Sequence, residues 1–196
     1  MINQQEDKIA VGLKRGTVEL AEHDPRWSIV AKDTIELLRH IFGDIAVDIQ
    51  HVGSTSIKDI KAKPIIDIVV AVNDFLSVLE LIATLEKSGF INRPWKNDSE
   101  MLFACGDYSH SQGIQTHYIH VVKADSKEWY TYICFRDYLN ARPDIAKQYE
   151  AIKIELANKN RSDKGREKYI TGKSEFIAHI LQKAQVCNCL RNLNNR

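Results

Sequence analysis

The sequence predicts an α+β fold, a mixed β-sheet with flanking helices and a helical C-terminal part. Two observations carry this expectation. Up to about residue 125, short runs rich in Ile and Val alternate with amphipathic stretches, whereas from about Ser126 onward the apolar residues recur with helical spacing. No Pro/Gly-rich linker or shift in composition separates the two halves. The expected organisation is therefore a flexible segment over residues 1–15, a single domain over 16–186 with a helical subdomain from about 126 to 186, and a frayed tail at 187–196.

Taken in order, TVELAE (17–22) reads as a short strand. Asp24 followed by Pro25 reads as a helix start, and Trp27, Val30, Ile35, Leu38 and Ile41 populate a helix that Gly43 ends. Residues 45–52 alternate as a strand. Residues 65–72 are almost continuously Ile, Val and Ala, which suits a central strand covered on both faces. Asp74 caps a helix through Leu85, and NRPWKND (92–98) reads as a loop in which Trp95 is an exposed aromatic or a stacking platform. Two more strands follow, at 101–105 and 114–122. The helical half divides into 126–140, 143–159 with Pro143 at its start, and 163–185 with Asp163 as its cap.

Composition excludes several classes. A net charge of +1 leaves no global field to recruit nucleic acid or anionic lipid, so an anion site has to be built locally and a nucleic-acid partner is disfavoured. No apolar run is long enough to span a bilayer, and MINQQEDKIA lacks the apolar core of a signal peptide, so a membrane is not an expected partner. Cys105, Cys134, Cys187 and Cys189 form neither a disulfide framework nor a CxxC pair, which predicts free thiols and a cytoplasmic protein.

The stretch HVGSTSIKDIKAKPIIDIVV (51–70) carries the functional signal. Gly53, Ser54 and Thr55 form a small polar turn after a strand, able to offer amides and hydroxyls to a phosphate, or to serve as an ordinary capped turn. Asp67 stands alone in an apolar strand, where an unpaired carboxylate costs several kcal/mol of desolvation, so it needs a cation, a metal or donors. Lys63 is the nearest cation in sequence.

These residues resemble a known family. A Gly-Ser turn, a spacer and an aspartate within an apolar strand is similar to the pattern of the nucleotidyltransferase superfamily. HVGSTS with KPIID is similar to the signature of the GrpB family, as are TVELAEHDPRW, THYIHVV, FRDYLNARPDIAKQYEAIKIELA and YITGKSEFI, which extend the resemblance over most of the chain. The resemblance implies a nucleotidyltransferase-like fold, a site around Asp67 and Ser54, and a divalent metal (Mg, Mn or Zn) held by two or three carboxylates.

The carboxylate set is incomplete here. Ile65 and Val69, the neighbours of Asp67 on its strand face, bind no cation, and the later strand carries His117 and His120 instead. Those two point to opposite faces of a regular strand, so one of them, together with His51, is a candidate partner of Asp67 in a metal site; each is equally readable as a hydrogen-bonded structural histidine. A site of this kind favours zinc or another transition metal over magnesium.

Arg136, Lys153 and Lys173 join Lys63 as candidate clamps for an anion, with Lys173 interrupting the apolar stripe Tyr169, Phe176, Ile177, Ile180. Snorkelling explains such lysines equally well. The resulting expectation is a metal-dependent nucleotidyltransferase-like protein with an incomplete carboxylate set, binding a nucleotide or phosphorylated small molecule between sheet and helices. The alternative is an inactive binding or protein-interaction module that retains the fold.

Overall fold

The computed structural model describes residues 11–109, 113–160 and 165–186. Among them, a mixed sheet runs in the order β2-β3-β6-β5-β4, with a short β1 also paired to β6. The strands are β1 (Leu13–Lys14), β2 (Ala46–Val52), β3 (Ile66–Val72), β4 (Ile91–Asn97), β5 (Glu100–Gly106) and β6 (Ile114–Lys123). β3 and β6 are parallel and every other pair is antiparallel. The helices are α1 (Trp27–Phe42), α2 (Leu76–Leu79), α3 (Ile82–Lys87), α4 (Lys127–Ala141), α5 (Pro143–Lys159), α6 (Gly165–Gly172) and α7 (Ser174–Val186). The α+β class and the helical C-terminal part are those the sequence predicts.

Each face of the sheet is covered by different helices. Trp27, Ala31, Leu38 and Phe42 line one stripe of α1 and pack on Ile49, Ile66, Ile68, Val70, Ile119 and Val121. The opposite face presents Val52, Val69 and Val122 to Trp129, Tyr132 and Ile133 of α4. β3 is thus buried on both sides, which is why its sequence lacks alternation. Ser126 starts α4 by accepting the Trp129 N–H at 3.2 Å, and Gly43 ends α1 in a left-handed conformation with φ of 50°.

The helical half is anchored by the segment that follows the Gly53–Ser54 turn. Ile57 and Ile60 are fully buried against Phe135, Leu139, Ile145, Ala146, Tyr149 and Ile180. The residues between turn and β3 therefore tie the site to α4, α5 and α7.

Several element boundaries differ from the sequence reading. TVELAE forms no strand; only Ala21 bridges to Ala62, while Val18 packs on Ala157 and Tyr169, so its alternation serves helix packing. Asp24 accepts the Arg26 N–H at 2.9 Å in the turn before α1, and Arg26 itself is the cap residue. The stretch after Asp74 breaks into α2 and α3, with Asp74 accepting the Ser77 N–H at 2.8 Å. All of NRPWKND but Asp98, which lies in the turn that follows, belongs to β4, an edge strand and hence tolerant of Pro94. The last helical stretch is divided at Lys173, directly after Gly172. The Trp95 side chain, Asp163, Cys187 and Cys189 lie outside the described residues. Cys105 and Cys134 are free thiols, and burial pushes Cys105 up to about 12.

Candidate functional site

Asp67 is the second residue of β3, and the pairing of β2 with β3 sets Val52 directly beside it. The chain then turns through Gly53 with φ of 71°, a left-handed conformation that favours glycine. A Cβ on Gly53 would lie 2.3 Å from Asp67 Oδ2, so the carboxylate rests against the turn backbone in the space glycine leaves. Ser54 follows at once, and its hydroxyl lies 3.3 Å from the Tyr149 hydroxyl of α5. Thr55 is turned inward: its hydroxyl donates to the Ile65 carbonyl at 3.3 Å and meets His51 Nε2 at 3.0 Å.

The register of the sheet sorts the histidines. Asp67 pairs with Tyr118, and Val69 with His120, so Asp67 and His120 share the face beneath α4. His117 pairs with Ile66 and His51 with Ile68, on the face toward α1. There His117 Nε2 meets Thr34 Oγ1 at 3.2 Å and Nδ1 meets Thr116 Oγ1 at 2.9 Å. Burial pushes His117 down to about 4 against the attraction of Asp67. Burial does the same to His51, also to about 4; Asp67 opposes the shift, while the charge of Arg136 and, when protonated, that of His117 reinforce it.

His120 joins a row of carboxylates. Its Nε2 is 3.6 Å from Asp67 Oδ1, and its Nδ1 donates to Glu100 Oε1 at 2.7 Å. The Tyr132 hydroxyl of α4 donates to the other Glu100 oxygen at 3.1 Å, and its ring lies 4.9 Å from the imidazole. Burial opposes the imidazolium, yet the attraction of Asp67 and the hydrogen bond and charge of Glu100 prevail and push His120 up to about 9. Glu100 and Tyr132 are absent from the sequence reading. Only the antiparallel pairing of β5 with β6 brings Glu100, twenty residues upstream of His120, beside it.

The lysines gather around two tyrosines. Lys153 Nζ lies 4.7 Å from the ring centre of Tyr149, and Lys173 and Lys63 lie 4.5 and 5.3 Å from that of Tyr169. Lys153 is fully buried and donates to the Lys61 carbonyl. Burial pushes it down to about 7, with repulsion from Lys173 adding to the shift and Glu150 opposing it. Burial also lowers Lys173, while the charge of Asp67 holds it up. Arg136 is committed to protein partners: it donates to Gln50 Oε1 at 2.9 Å and the His51 carbonyl at 3.0 Å, and pairs with Asp137 at 2.7 Å. A separate depression of about 490 Å³ is lined by Val18, Glu19, Leu20, Lys61, Ile154, Ala157 and Asn158, none of them in the Asp67 group.

The donor set does not suit a carboxylate-held divalent metal. Val69, where a second carboxylate would share the Asp67 face, is buried and apolar, and Glu100 is separated from Asp67 by the ring of His120. His51 and His117 stand on the far face. Among the described residues, no three His, Cys, Asp or Glu side chains converge as a metal site.

Comparison with known proteins agrees with this fold. The Glutamate-rich protein GrpB of Alkalihalophilus pseudofirmus is 35% identical over 176 residues, which is 88% of this chain and 99% of that protein. The crystal structure of conserved protein GrpB from Enterococcus faecalis superposes with a TM-score of 0.76 at 27% identity, covering 85% of this chain and 96% of the other. The Cid1 poly(U) polymerase, in a structure described as MgGTP bound, matches at a TM-score of 0.50 and 12% identity, over 71% of this chain and 44% of its own. That likeness is one of fold, and it sets the sheet and helices among nucleotidyltransferase-like architectures. With the GrpB protein family model matching residues 17–183, this chain belongs to the GrpB family.

Proposed function

We propose that this protein binds a nucleotide or phosphorylated small molecule beside the Gly53–Ser54 turn, with Lys173 and Ser54 toward the phosphoryl group and Asp67 toward a donor on the ligand. The observation that carries the reading is the packing of Asp67 against Gly53. It sets a carboxylate beside the turn that carries the Ser54 hydroxyl in a nucleotidyltransferase-like fold, and the half-buried Lys173 ammonium feels the charge of that carboxylate. The lysine–tyrosine group supports it, because the ammonium groups of Lys153 and Lys173 stand over the Tyr149 and Tyr169 rings close enough to repel one another, a local positive field that suits an anionic guest.

The test is a thermal-shift screen of nucleoside mono-, di- and triphosphates and simple phosphate esters. A ligand present at a hundred times its Kd stabilises the native state by about 2.7 kcal/mol, an easily read shift. Lys173→Met and Ser54→Ala are expected to weaken the response at least tenfold. A screen without any response, or a response unchanged in Lys173→Met, contradicts the reading.

A further inference from the structure

The disagreement between this donor set and the metal chemistry of the fold is itself informative. Asp67 and Glu100 each present an acceptor to one ring nitrogen of His120, at 3.6 and 2.7 Å. Nδ1 carries the proton that it donates to Glu100, and a lone pair on Nε2 would face the negative Asp67 carboxylate, so the arrangement favours the doubly protonated ring, which has no lone pair for a metal. Tyr132 fixes the arrangement by donating to the second oxygen of Glu100, with its hydroxyl oxygen also 2.9 Å from His120 Nδ1. His120 also lies directly across from Val69, the next residue of β3 on the Asp67 face.

We propose that the imidazolium of His120 replaces the divalent cation in this chain, so that a phosphorylated ligand is bound with no metal ion between it and the protein. This rests on the proposed ligand site and adds to it that Asp67 is neutralised from inside the protein, which leaves the positive charge toward the ligand to the helical side. His120 neutralises Asp67 from within the sheet, and Lys173, whose ammonium feels Asp67, supplies charge on the helical side. Glu100 and Tyr132 are positioning residues, since they act through the ring.

Two measurements test the proposal on the full chain. In the first, calorimetric titration with ATP and with inorganic tripolyphosphate is run in EDTA and again with excess Mg²⁺. The expected result is a Kd that agrees within about threefold between the two conditions. Binding that appears or tightens tenfold or more only with Mg²⁺ overturns metal independence and leaves the ligand site standing. An absence of binding in both conditions overturns the ligand site and this inference together.

In the second, Mn²⁺ alone is titrated and followed by electron paramagnetic resonance. Wild type is expected to show no saturable site, and His120→Asp, which removes the internal cation and adds a carboxylate, is expected to acquire one. Saturable 1:1 binding to wild type that disappears in Asp67→Asn overturns the proposal. The wild-type titration decides the matter even where His120→Asp fails to fold.

Discussion

A methyl group added to Gly53 meets two obstacles at once. It lies 2.3 Å from Asp67 Oδ2, and the backbone there has φ of 71°, which side chains rarely adopt. Gly53→Ala should therefore cost about 1–3 kcal/mol in urea denaturation and should displace the carboxylate. At equal stability loss elsewhere in the sheet, ligand response would be retained; here it should fall with the displaced Asp67. Asp67 was legible in the sequence because an ionisable group in an unbroken run of Ile and Val demands a partner. Its partner was only half legible. Strand alternation separates His117 from His120, but deciding which one meets Asp67 requires the register of β3 against β6, and Glu100 requires that of β5 as well. Such contacts between distant residues leave no local signature.

Among the elements, α4 has the largest influence on the site, since it carries Tyr132 over His120 and Arg136 onto the end of β2. Its start depends on the Ser126 cap. Ser126→Ala should lower stability by about 1 kcal/mol, read as a shifted urea midpoint with an unchanged slope. An unchanged midpoint would mean that the cap contributes nothing. Helical periodicity made α4 and α5 legible to within a residue or two, with Pro143 marking the junction. Elements stabilised by tertiary contact were harder to read. β4 holds Pro94 and charged residues that only an edge position accommodates, and TVELAE has strand-like alternation that instead packs Val18 under Tyr169. In α6, Gly172 allows close approach to α5, where a Cβ would lie 2.5 Å from Leu156 Cδ2, and the helix divides at the next residue.

On the scale of the whole molecule, the three histidines of the sheet set opposite limbs of the stability profile. His51 and His117 are held near 4 against an ordinary value of 6.5, so between those values the unfolded chain binds protons that the native chain does not, and stability falls as pH drops from 6.5 to about 4. His120 is held near 9, so its contribution is complete below 6.5 and is lost as pH rises from 6.5 through about 9. Each limb is worth at most about 3.5 kcal/mol per histidine. On the alkaline side Lys153, held down to about 7 against an ordinary 10.5, adds stability as pH rises and offsets the His120 loss. Stability measured by urea denaturation should thus fall below pH 6.5 and change little up to about 9, and His120→Gln should expose a rising alkaline limb while leaving the acid limb in place. An alkaline limb identical in that variant would show that His120 is not charged in the native state. The net charge of +1 contributes little global repulsion to obscure these local effects.

The most direct measurement is a crystal structure of the protein grown with ATP in EDTA. The account predicts phosphate density within hydrogen-bond distance of Ser54 and Lys173, beside an intact Asp67–His120–Glu100 row. Nucleotide density in the depression lined by Val18, Lys61 and Asn158, or phosphates held away from Ser54 and Lys173, would contradict it.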